Sequence, residues 1–257
     1  MDLLLLSKFV LRLVGYAKAR EHNQTPGKEE QKTGMDFRYE WKHEIAYGDL
    51  LALQPRLAAV MRRDSHAIDG RYEIRSLYFD NLQDKALREK IDGVNNREKF
   101  RIRYYNGDTS LLLLEKKRKI NGLCAKEQAR LEEGRARALA LGDPQALEGA
   151  QDPLVQELRR KMLSQGLRPR TIVDYTREPF VFGPGNVRVT LDYNIRTGLG
   201  CTDFLNPRCV TIPARGAPIV LEVKWDNFLP SIVRDIVQIP QSHTAAFSKY
   251  AACRVFD

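Results

Sequence analysis

The sequence has no long apolar run and few of the residues that build metal clusters or disulfide frameworks. No stretch approaches the roughly 20 apolar residues that a helix needs to span a bilayer. The 257 residues include only four cysteines and four histidines. The cysteines form no CxxC pair and no zinc-finger spacing, and the histidines are scattered. We therefore expect free thiols in a reducing compartment and no zinc site built on histidine.

The chain is rich in positive charge. Lys and Arg total 42 against 33 Asp and Glu, which gives a formal charge of +9 and a pI of about 9.4. Such an excess favours an anionic partner, either nucleic acid, an acidic membrane surface or a phosphate-rich small molecule. It also fits a generally basic, soluble surface. The positions of the charges must decide between these interpretations.

Residues 1–34 differ from the rest and are predicted to be an N-terminal extension to a main domain at residues 35–257. The extension begins with an apolar stretch, Leu3–Val14, which Lys8 and Arg12 interrupt. A secretory signal places its charge before the apolar core instead. Two interpretations stay open: an amphipathic helix that lies on a membrane or a partner, or a misassigned extension upstream of a true start at Met35.

From Asp36 onward the sequence predicts antiparallel strands joined by turns, with helices inserted. The predicted strands are Phe37–Ile45, Tyr72–Phe79, Lys99–Tyr105, Ser110–Ile120, Leu123–Leu131, Arg170–Val181, Val187–Ile195 and Pro218–Trp225. The predicted helices are Leu50–Met61, Asp84–Ile91, Ala136–Leu141, Pro153–Gln165, Phe228–Gln238 and His243–Ala252. Hairpin turns are expected at Asn106-Gly107-Asp108 and Asn121-Gly122, because Asn and Gly tolerate positive φ. The pattern favours an α+β fold, an antiparallel β-barrel with flanking helices.

The charged residues fall on one face of each of five predicted strands, because side chains at i, i+2 and i+4 point to the same side. These faces are Glu40-Lys42-Glu44, Arg101-Arg103, Glu115-Lys117-Lys119, Arg188-Thr190-Asp192 and Glu222-Lys224. A single charged strand face ordinarily faces water. Repetition over five strands, with cations beside carboxylates, favours the interior of a barrel instead.

A barrel interior lined by Arg and Lys requires neutralisation, because buried like charges are costly unless they are paired or bind an anion. Phosphate chains supply that anion, since Arg binds their oxygens bidentately and Lys acts as a point charge. The carboxylates would then hold Mg²⁺ or Mn²⁺ against the phosphate oxygens. Nucleic acid is not expected as a partner, because a duplex binder usually presents its cations on an exposed helix or loop with few acids nearby.

Seven segments resemble, in the same order, the VTC (vacuolar transporter chaperone) domain, the polyphosphate polymerase branch of the CYTH-like triphosphate tunnel metalloenzymes. The likeness covers Phe37 to Tyr250. The segments are Arg38-Tyr39-Glu40-Trp41-Lys42, Arg75-Ser76-Leu77-Tyr78-Phe79-Asp80-Asn81, Phe100-Arg101-Ile102-Arg103-Tyr104-Tyr105, Leu114-Glu115-Lys116-Lys117-Arg118-Lys119, Val187-Arg188-Val189-Thr190-Leu191-Asp192, Leu221-Glu222-Val223-Lys224 and Phe247-Ser248-Lys249-Tyr250. Glu40-Trp41-Lys42 retains only part of the ExExK pattern of the CYTH phosphatases, which favours the polymerase branch.

The resemblance implies roles for most of the charged positions of the tunnel. The phosphate-binding cations of catalysis would be Lys42, Arg101, Arg103, Lys117, Arg188 and Lys249. Further contacts to the nucleoside triphosphate would come from Lys126, Arg177 and Lys224. The metal-binding carboxylate would be Glu222, with Glu40 and Glu115 as second candidates.

The resemblance also implies an activity, the transfer of the γ-phosphoryl group of ATP to a growing polyphosphate chain with Mn²⁺ or Mg²⁺. Two alternatives stay open: a tunnel triphosphatase, and a polyphosphate- or nucleic-acid-binding module without turnover. Fungal members carry a phosphate-sensing SPX domain and a membrane channel, so this chain is similar to the stand-alone prokaryotic form. We expect a cytoplasmic protein that could lie at the inner face of the membrane, where a membrane protein would supply an export channel.

Overall fold

The computed structural model describes residues 38–239, 243–244 and 246–255. The chain divides into two compact units, residues 1–34 and 35–257, and the described residues all belong to the second. Both interpretations of the N-terminal extension, the amphipathic helix and the start at Met35, lie outside the described residues. No helix in the described part of the chain combines the length and the apolar character that a membrane crossing requires.

The elements follow the predicted order closely. The strands are β1 (Tyr39–Ile45), β2 (Arg62–Arg63), β3 (Tyr72–Asp80), β4 (Arg97–Tyr105), β5 (Asp108–Ile120), β6 (Leu123–Leu131), β7 (Arg168–Phe182), β8 (Val187–Thr197), β9 (Ile212–Pro213), β10 (Ile219–Trp225) and β11 (His243–Thr244). The α-helices are α1 (Tyr47–Val60), α2 (Lys85–Ile91), α3 (Glu133–Ala140), α4 (Pro153–Gln165), α5 (Ser231–Ile236) and α6 (Lys249–Ala252). Short 3₁₀ turns lie at Gln145–Leu147 and Pro184–Asn186.

The described strands form one curled antiparallel sheet in the order β11-β1-β10-β8-β7-β3-β4-β5-β6, and the short strands β2 and β9 pair with β7 and β8. The first and last long strands approach each other, since Arg38, just before β1, forms an antiparallel bridge with Cys124 of β6. Two backbone hydrogen bonds, of 3.1 and 3.4 Å, join these residues. The sheet therefore wraps around its own inner face, and the predicted α+β class with flanking helices is confirmed.

The expected hairpin turns lie where the sequence places them. Asn106 and Gly107 join β4 to β5 with φ of 52° and 73°, and Asn121 and Gly122 join β5 to β6 with φ of 49° and 83°. Both central residues of each turn lie in the left-handed region, as a tight hairpin of this twist requires.

The outer face of the sheet is apolar and is covered by helices. One core cluster joins β3, β4 and β5 to α3 and α4, and another joins β8 and β10 to α1 and α5. On β8 the alternation is clear, since Val187, Val189 and Leu191 are buried in the second cluster. The intervening polar positions of β8 consequently turn inward.

The predicted helix His243–Ala252 is wrong over its first half. His243 and Thr244 form β11 and pair with β1 across Glu44 and His43, and the helix begins only at Lys249. The Ser248 side chain accepts a hydrogen bond from the backbone N–H of Ala251, which marks the start of α6. The predicted helix Phe228–Gln238 is likewise shorter and begins after Pro230.

Candidate triphosphate site

The curled sheet encloses a cavity of about 390 Å³, lined by side chains of β1, β3 to β8, β10 and the segment around α6. All of the predicted site residues line this one cavity. They are Glu40, Lys42, Arg101, Arg103, Glu115, Lys117, Lys126, Arg177, Arg188, Glu222, Lys224 and Lys249. Strand parity indicated nine of these twelve residues, and the family resemblance supplied Lys126, Arg177 and Lys249. The roles of all twelve stay predictions.

On β1 and β10 cations and carboxylates alternate across the strand pair. Glu40 lies opposite Lys224, and Lys42 lies opposite Glu222. The Lys42 ammonium is 2.7 Å from Glu40 Oε1 and 3.5 Å from Glu222 Oε1. Lys224 Nζ is 3.7 Å from Glu40 Oε2 and 3.2 Å from Glu222 Oε1, and Lys117 Nζ reaches Glu40 Oε2 at 2.8 Å. Two carboxylates thus share a set of ammonium groups.

These neighbours keep the two carboxylates ionised. Burial alone would raise the pKa of Glu222, but Lys224, Lys42 and Lys117 together hold it well below its usual range. Burial and the negative charge of Glu222 raise the pKa of Glu40, and the lysines reverse this into a net lowering. The two carboxylates therefore repel each other while the surrounding cations keep both charged.

A second charged group lies on β4, β5 and β6. Arg101 binds Glu115 Oε2 through Nε at 2.7 Å, and Lys126 Nζ lies 2.6 Å from Glu115 Oε1. Arg103 is almost fully buried and donates to the Tyr175 hydroxyl at 2.8 Å. Burial alone would raise the pKa of Glu115, but Arg101, Arg103 and Lys126 keep it well below its usual range.

Asp192 is a residue of this site that the sequence placed on a charged face without giving it a role. Its carboxylate is fully buried and accepts from Arg177 Nε at 2.6 Å and from Lys249 Nζ at 2.6 Å. Burial would raise the pKa of Asp192, but Arg177 and Lys249 lower it to about 2. Asp192 therefore holds two predicted phosphate-binding cations in place. Arg188 lies nearer the edge of the cavity, where Asp64 binds it at 2.7 Å.

Lys99 and Tyr78 also line the cavity and were missed by the sequence reasoning. Lys99 of β4 lies directly opposite Lys117 of β5, which in turn lies opposite Lys126 of β6. Like charges directly opposite each other destabilise a sheet. Among the described residues Lys99 has no carboxylate within ion-pair distance, and it contacts instead the ring of Tyr78, 5.3 Å from the centroid. Lys117 and Lys126 have carboxylate partners, so Lys99 is the cation of this row that a bound anion would neutralise.

Lys99 predicts a pH dependence of triphosphate binding. Burial lowers the pKa of Lys99 to about 7; Tyr78 opposes this shift, while Lys117, Arg101 and Lys42 add to it. A lysine with this pKa is protonated below neutral pH and loses its charge as the pH rises. We therefore expect the affinity for inorganic triphosphate to fall severalfold between mildly acidic and mildly alkaline pH.

The matched variant for this prediction is Lys99→Arg, because a guanidinium keeps its charge over the whole range. Titration calorimetry of both proteins at each pH gives a ratio of Kd values from which the ionisation of the ligand cancels. As the pH rises, the Kd of the wild type should increase relative to the Kd of Lys99→Arg. A constant ratio would show that Lys99 does not change its protonation state over this pH range.

Of the carboxylates that line the cavity, Glu40 and Glu222 are the pair best suited to hold a divalent metal ion. Among the described residues, no group of three or more His, Cys, Asp or Glu side chains is placed to hold a metal. Mg²⁺, however, usually binds proteins through one or two carboxylates and completes its shell with substrate phosphates and water. Glu40 and Glu222 fit this pattern, since they are ionised, repel each other and contact the same lysines. Glu115 fits less well, because the guanidinium groups of Arg101 and Arg103 surround it.

Comparison with known proteins gives one family match. The family model of the VTC domain matches residues 37–256. Among curated proteins none matches the chain.

Several solved structures are similar at low identity. A candidate adenylate cyclase from Bacillus halodurans is 14% identical over 81% of this chain and 95% of its own, with a TM-score of 0.47. A candidate adenylyl cyclase from Hippeastrum, described as having a dominant triphosphatase activity, is 16% identical over 84% of this chain and 95% of its own, with a TM-score of 0.49. A Pyrococcus horikoshii protein is 14% identical over 77% and 84%, with a TM-score of 0.40. Likeness at this level assigns no activity.

Proposed function

Because the chain belongs to the VTC domain family, we propose that it is a polyphosphate polymerase that transfers the γ-phosphoryl group of ATP to a growing polyphosphate chain. Family membership supports, more broadly, a tunnel enzyme that acts on triphosphates. We infer a polymer as the acceptor because the cationic side chains extend beyond the space that a triphosphate would fill.

The observation that carries this proposal is a second cavity that shares part of its lining with the first. Its volume is about 370 Å³, and it shares Lys42, Lys99 and Lys117 with the first cavity while adding Lys90, Arg97 and Lys119. Within the described part of the chain, Lys90 and Lys119 have no carboxylate partner at ion-pair distance. A triphosphate in the first cavity would leave these cations unneutralised. A longer phosphate chain that continues into the second cavity would neutralise them.

The reaction needs no covalent intermediate on the protein. A terminal oxygen of the acceptor chain attacks the γ-phosphorus, the bond to the β,γ-bridging oxygen breaks, and ADP leaves with that electron pair. Arg101, Arg103 and Lys117 would hold the phosphate oxygens and spread their charge in a site that excludes much of the water. Glu222 and Glu40 would hold the divalent ion, which supplies further neutralisation of the phosphate oxygens.

The second cavity predicts a binding preference for long chains. Replacing Lys90 by Met should weaken the binding of a polyphosphate several times longer than triphosphate by about fivefold, the upper range for one solvent-exposed ion pair. The affinity for inorganic triphosphate itself should change little. Titration calorimetry with both ligands measures the two effects.

Lys85→Met is the matched control for this experiment, because Lys85 lies on the same helix α2 but does not line either of the two cavities. It should leave both affinities unchanged. If Lys90→Met lowers the affinities for both ligands equally, or lowers neither, a long chain does not enter the second cavity. That result would favour an enzyme limited to triphosphate.

A further inference from the structure

Lys249, one of the predicted phosphate-binding cations, is carried by the short helix α6 rather than by a strand. Helix α6 has only four residues, and its position therefore depends on contacts with the rest of the protein. Lys249 is its first residue and reaches Asp192 Oδ2 at 2.6 Å. The residue that follows, Tyr250, belongs to the same matched segment, and neither the charge pattern nor the proposed reaction gives it a role.

Tyr250 fixes helix α6 to the end of strand β3. Its side chain is buried, with 1% of its surface exposed, and its hydroxyl donates to Asp80 Oδ2 at 2.9 Å. Arg254 Nη1 donates to the same hydroxyl oxygen at 2.7 Å and to Asp84 Oδ1 at 2.9 Å. Burial and the Asp80 carboxylate raise the pKa of Tyr250, so the hydroxyl keeps the proton that it donates.

Asp80 in turn is a rigid anchor. Its carboxylate is buried and accepts hydrogen bonds from the backbone N–H groups of Asn81, Ala86 and Leu87, at 2.9, 2.9 and 3.1 Å. These contacts hold the beginning of helix α2 against the end of β3. The hydrogen bond to Tyr250 therefore connects α6 to a part of the structure that has little freedom to move.

Tyr250 also contacts, through its ring, a residue that lines the first cavity. It stacks on Tyr78 with ring centroids 5.0 Å apart and an interplanar angle of 23°. The Tyr78 hydroxyl accepts a hydrogen bond from Arg101 Nη1 at 2.7 Å. Tyr250 thus belongs to the helix that carries Lys249, and it contacts the side chain that binds Arg101.

We propose that Tyr250 is a positioning residue for triphosphate binding: its hydrogen bond to Asp80 holds the Lys249 ammonium at the phosphate chain, and its ring supports Tyr78 and, through it, Arg101. The inference rests on the proposed binding of triphosphate in this cavity. Tyr250 lines the second cavity but not the first, so a triphosphate held in the first cavity is reached only through the residues that Tyr250 places.

Tyr250→Phe separates the hydrogen bond from the stacking, because phenylalanine keeps the ring and loses the hydroxyl. We expect about fivefold weaker binding of inorganic triphosphate, measured by calorimetry without metal, the scale of one net hydrogen bond. In the Lys249→Met background the same substitution should cost less than about twofold, because coupled residues are not additive. A role in stability alone would give equal losses in both backgrounds.

Tyr193→Phe is the matched control, since Tyr193 also donates to a carboxylate, Glu178 at 2.9 Å, but lies outside the cavity. It should leave triphosphate binding unchanged. Hydrogen exchange of the wild type gives a test that does not depend on a variant. Saturation with triphosphate should protect the amides of Ala252 and Cys253, which bond back to Ser248 and Lys249 within α6.

The outcomes separate the inference from the proposed function. Equal losses in both backgrounds, no loss in Tyr250→Phe, or no added protection in α6 would overturn the role of Tyr250 while leaving the triphosphate site intact. Failure of the wild type to bind triphosphate at all would overturn the site itself and the inference with it.

Discussion

Replacing Glu222 by Gln should abolish metal-dependent turnover without weakening the metal-free binding of triphosphate. The loss of a metal-holding carboxylate removes several kcal/mol of transition-state stabilisation, which lowers the rate by roughly a thousandfold. Metal-free triphosphate should bind as tightly as before or more tightly, because one negative charge has left a cavity that attracts an anion. Phosphate release and calorimetry measure the two quantities separately.

The substitution should leave the fold intact, because each cation that contacts Glu222 has a second carboxylate. Lys42 and Lys224 also contact Glu40, and Arg177 also contacts Asp192. Glu178→Gln is the matched control, since Glu178 is a buried carboxylate paired with an arginine outside the cavity. The folded fraction of Glu178→Gln should have the same turnover as the wild type. Parallel losses of binding and turnover in Glu222→Gln would contradict a metal-holding role.

Replacing Lys117 by Met should lower turnover on the order of a hundredfold, the scale seen when one preorganised donor to a transition state is removed. Lys117 lies in the overlap of the two cavities, where a chain would pass from one to the other. Its partner Glu40 keeps Lys42 at 2.7 Å, so no buried charge is left unpaired. The thermal midpoint of unfolding should therefore change little.

Lys116→Met provides the control for Lys117, because the neighbouring residue points to the opposite face of the same strand. The carboxylate that Lys116 binds most closely, Glu157, also contacts Lys161 at 3.2 Å. This variant should keep its activity. A comparable loss in both variants would mean that β5 tolerates no substitution and that the loss at Lys117 reports on the fold.

The alternation of the strands made most of the site predictable. Strand periodicity fixes which residues share a face, and nine of the twelve charged positions on the five faces line the cavity, whereas Glu44, Lys119 and Asp192 do not. Tyr78 was missed because an aromatic residue is ordinarily assigned to the core. Lys99 was missed although it has the same strand parity as Arg101 and Arg103, so the rule that placed those two residues inside would have placed Lys99 there as well. Their importance depends on the register between strands, which places Lys99 opposite Lys117.

The residues that hydrogen-bond to the site's side chains could not be predicted from the sequence for a similar reason. Asp64 follows the two-residue strand β2, which is too short to show a pattern. The folded chain nevertheless brings Asp64 to Arg188, 124 residues further along the sequence. Asp80 and Tyr250 are separated by 170 positions. The two-residue strands β2, β9 and β11 are too short to show alternation, and for this reason the segment before α6 was predicted as helix. Local patterns predict faces and turns, whereas contacts between distant segments emerge only in the folded chain.

The most direct test of the account is the length of the product. The wild-type protein would be incubated with ATP and Mn²⁺, seeded with pyrophosphate, and the products resolved by gel beside an assay of free phosphate. The account predicts chains that lengthen with time while ADP accumulates and little free phosphate appears. Free phosphate without chain growth would contradict it and make the protein a triphosphatase that uses the same cavity with water as acceptor.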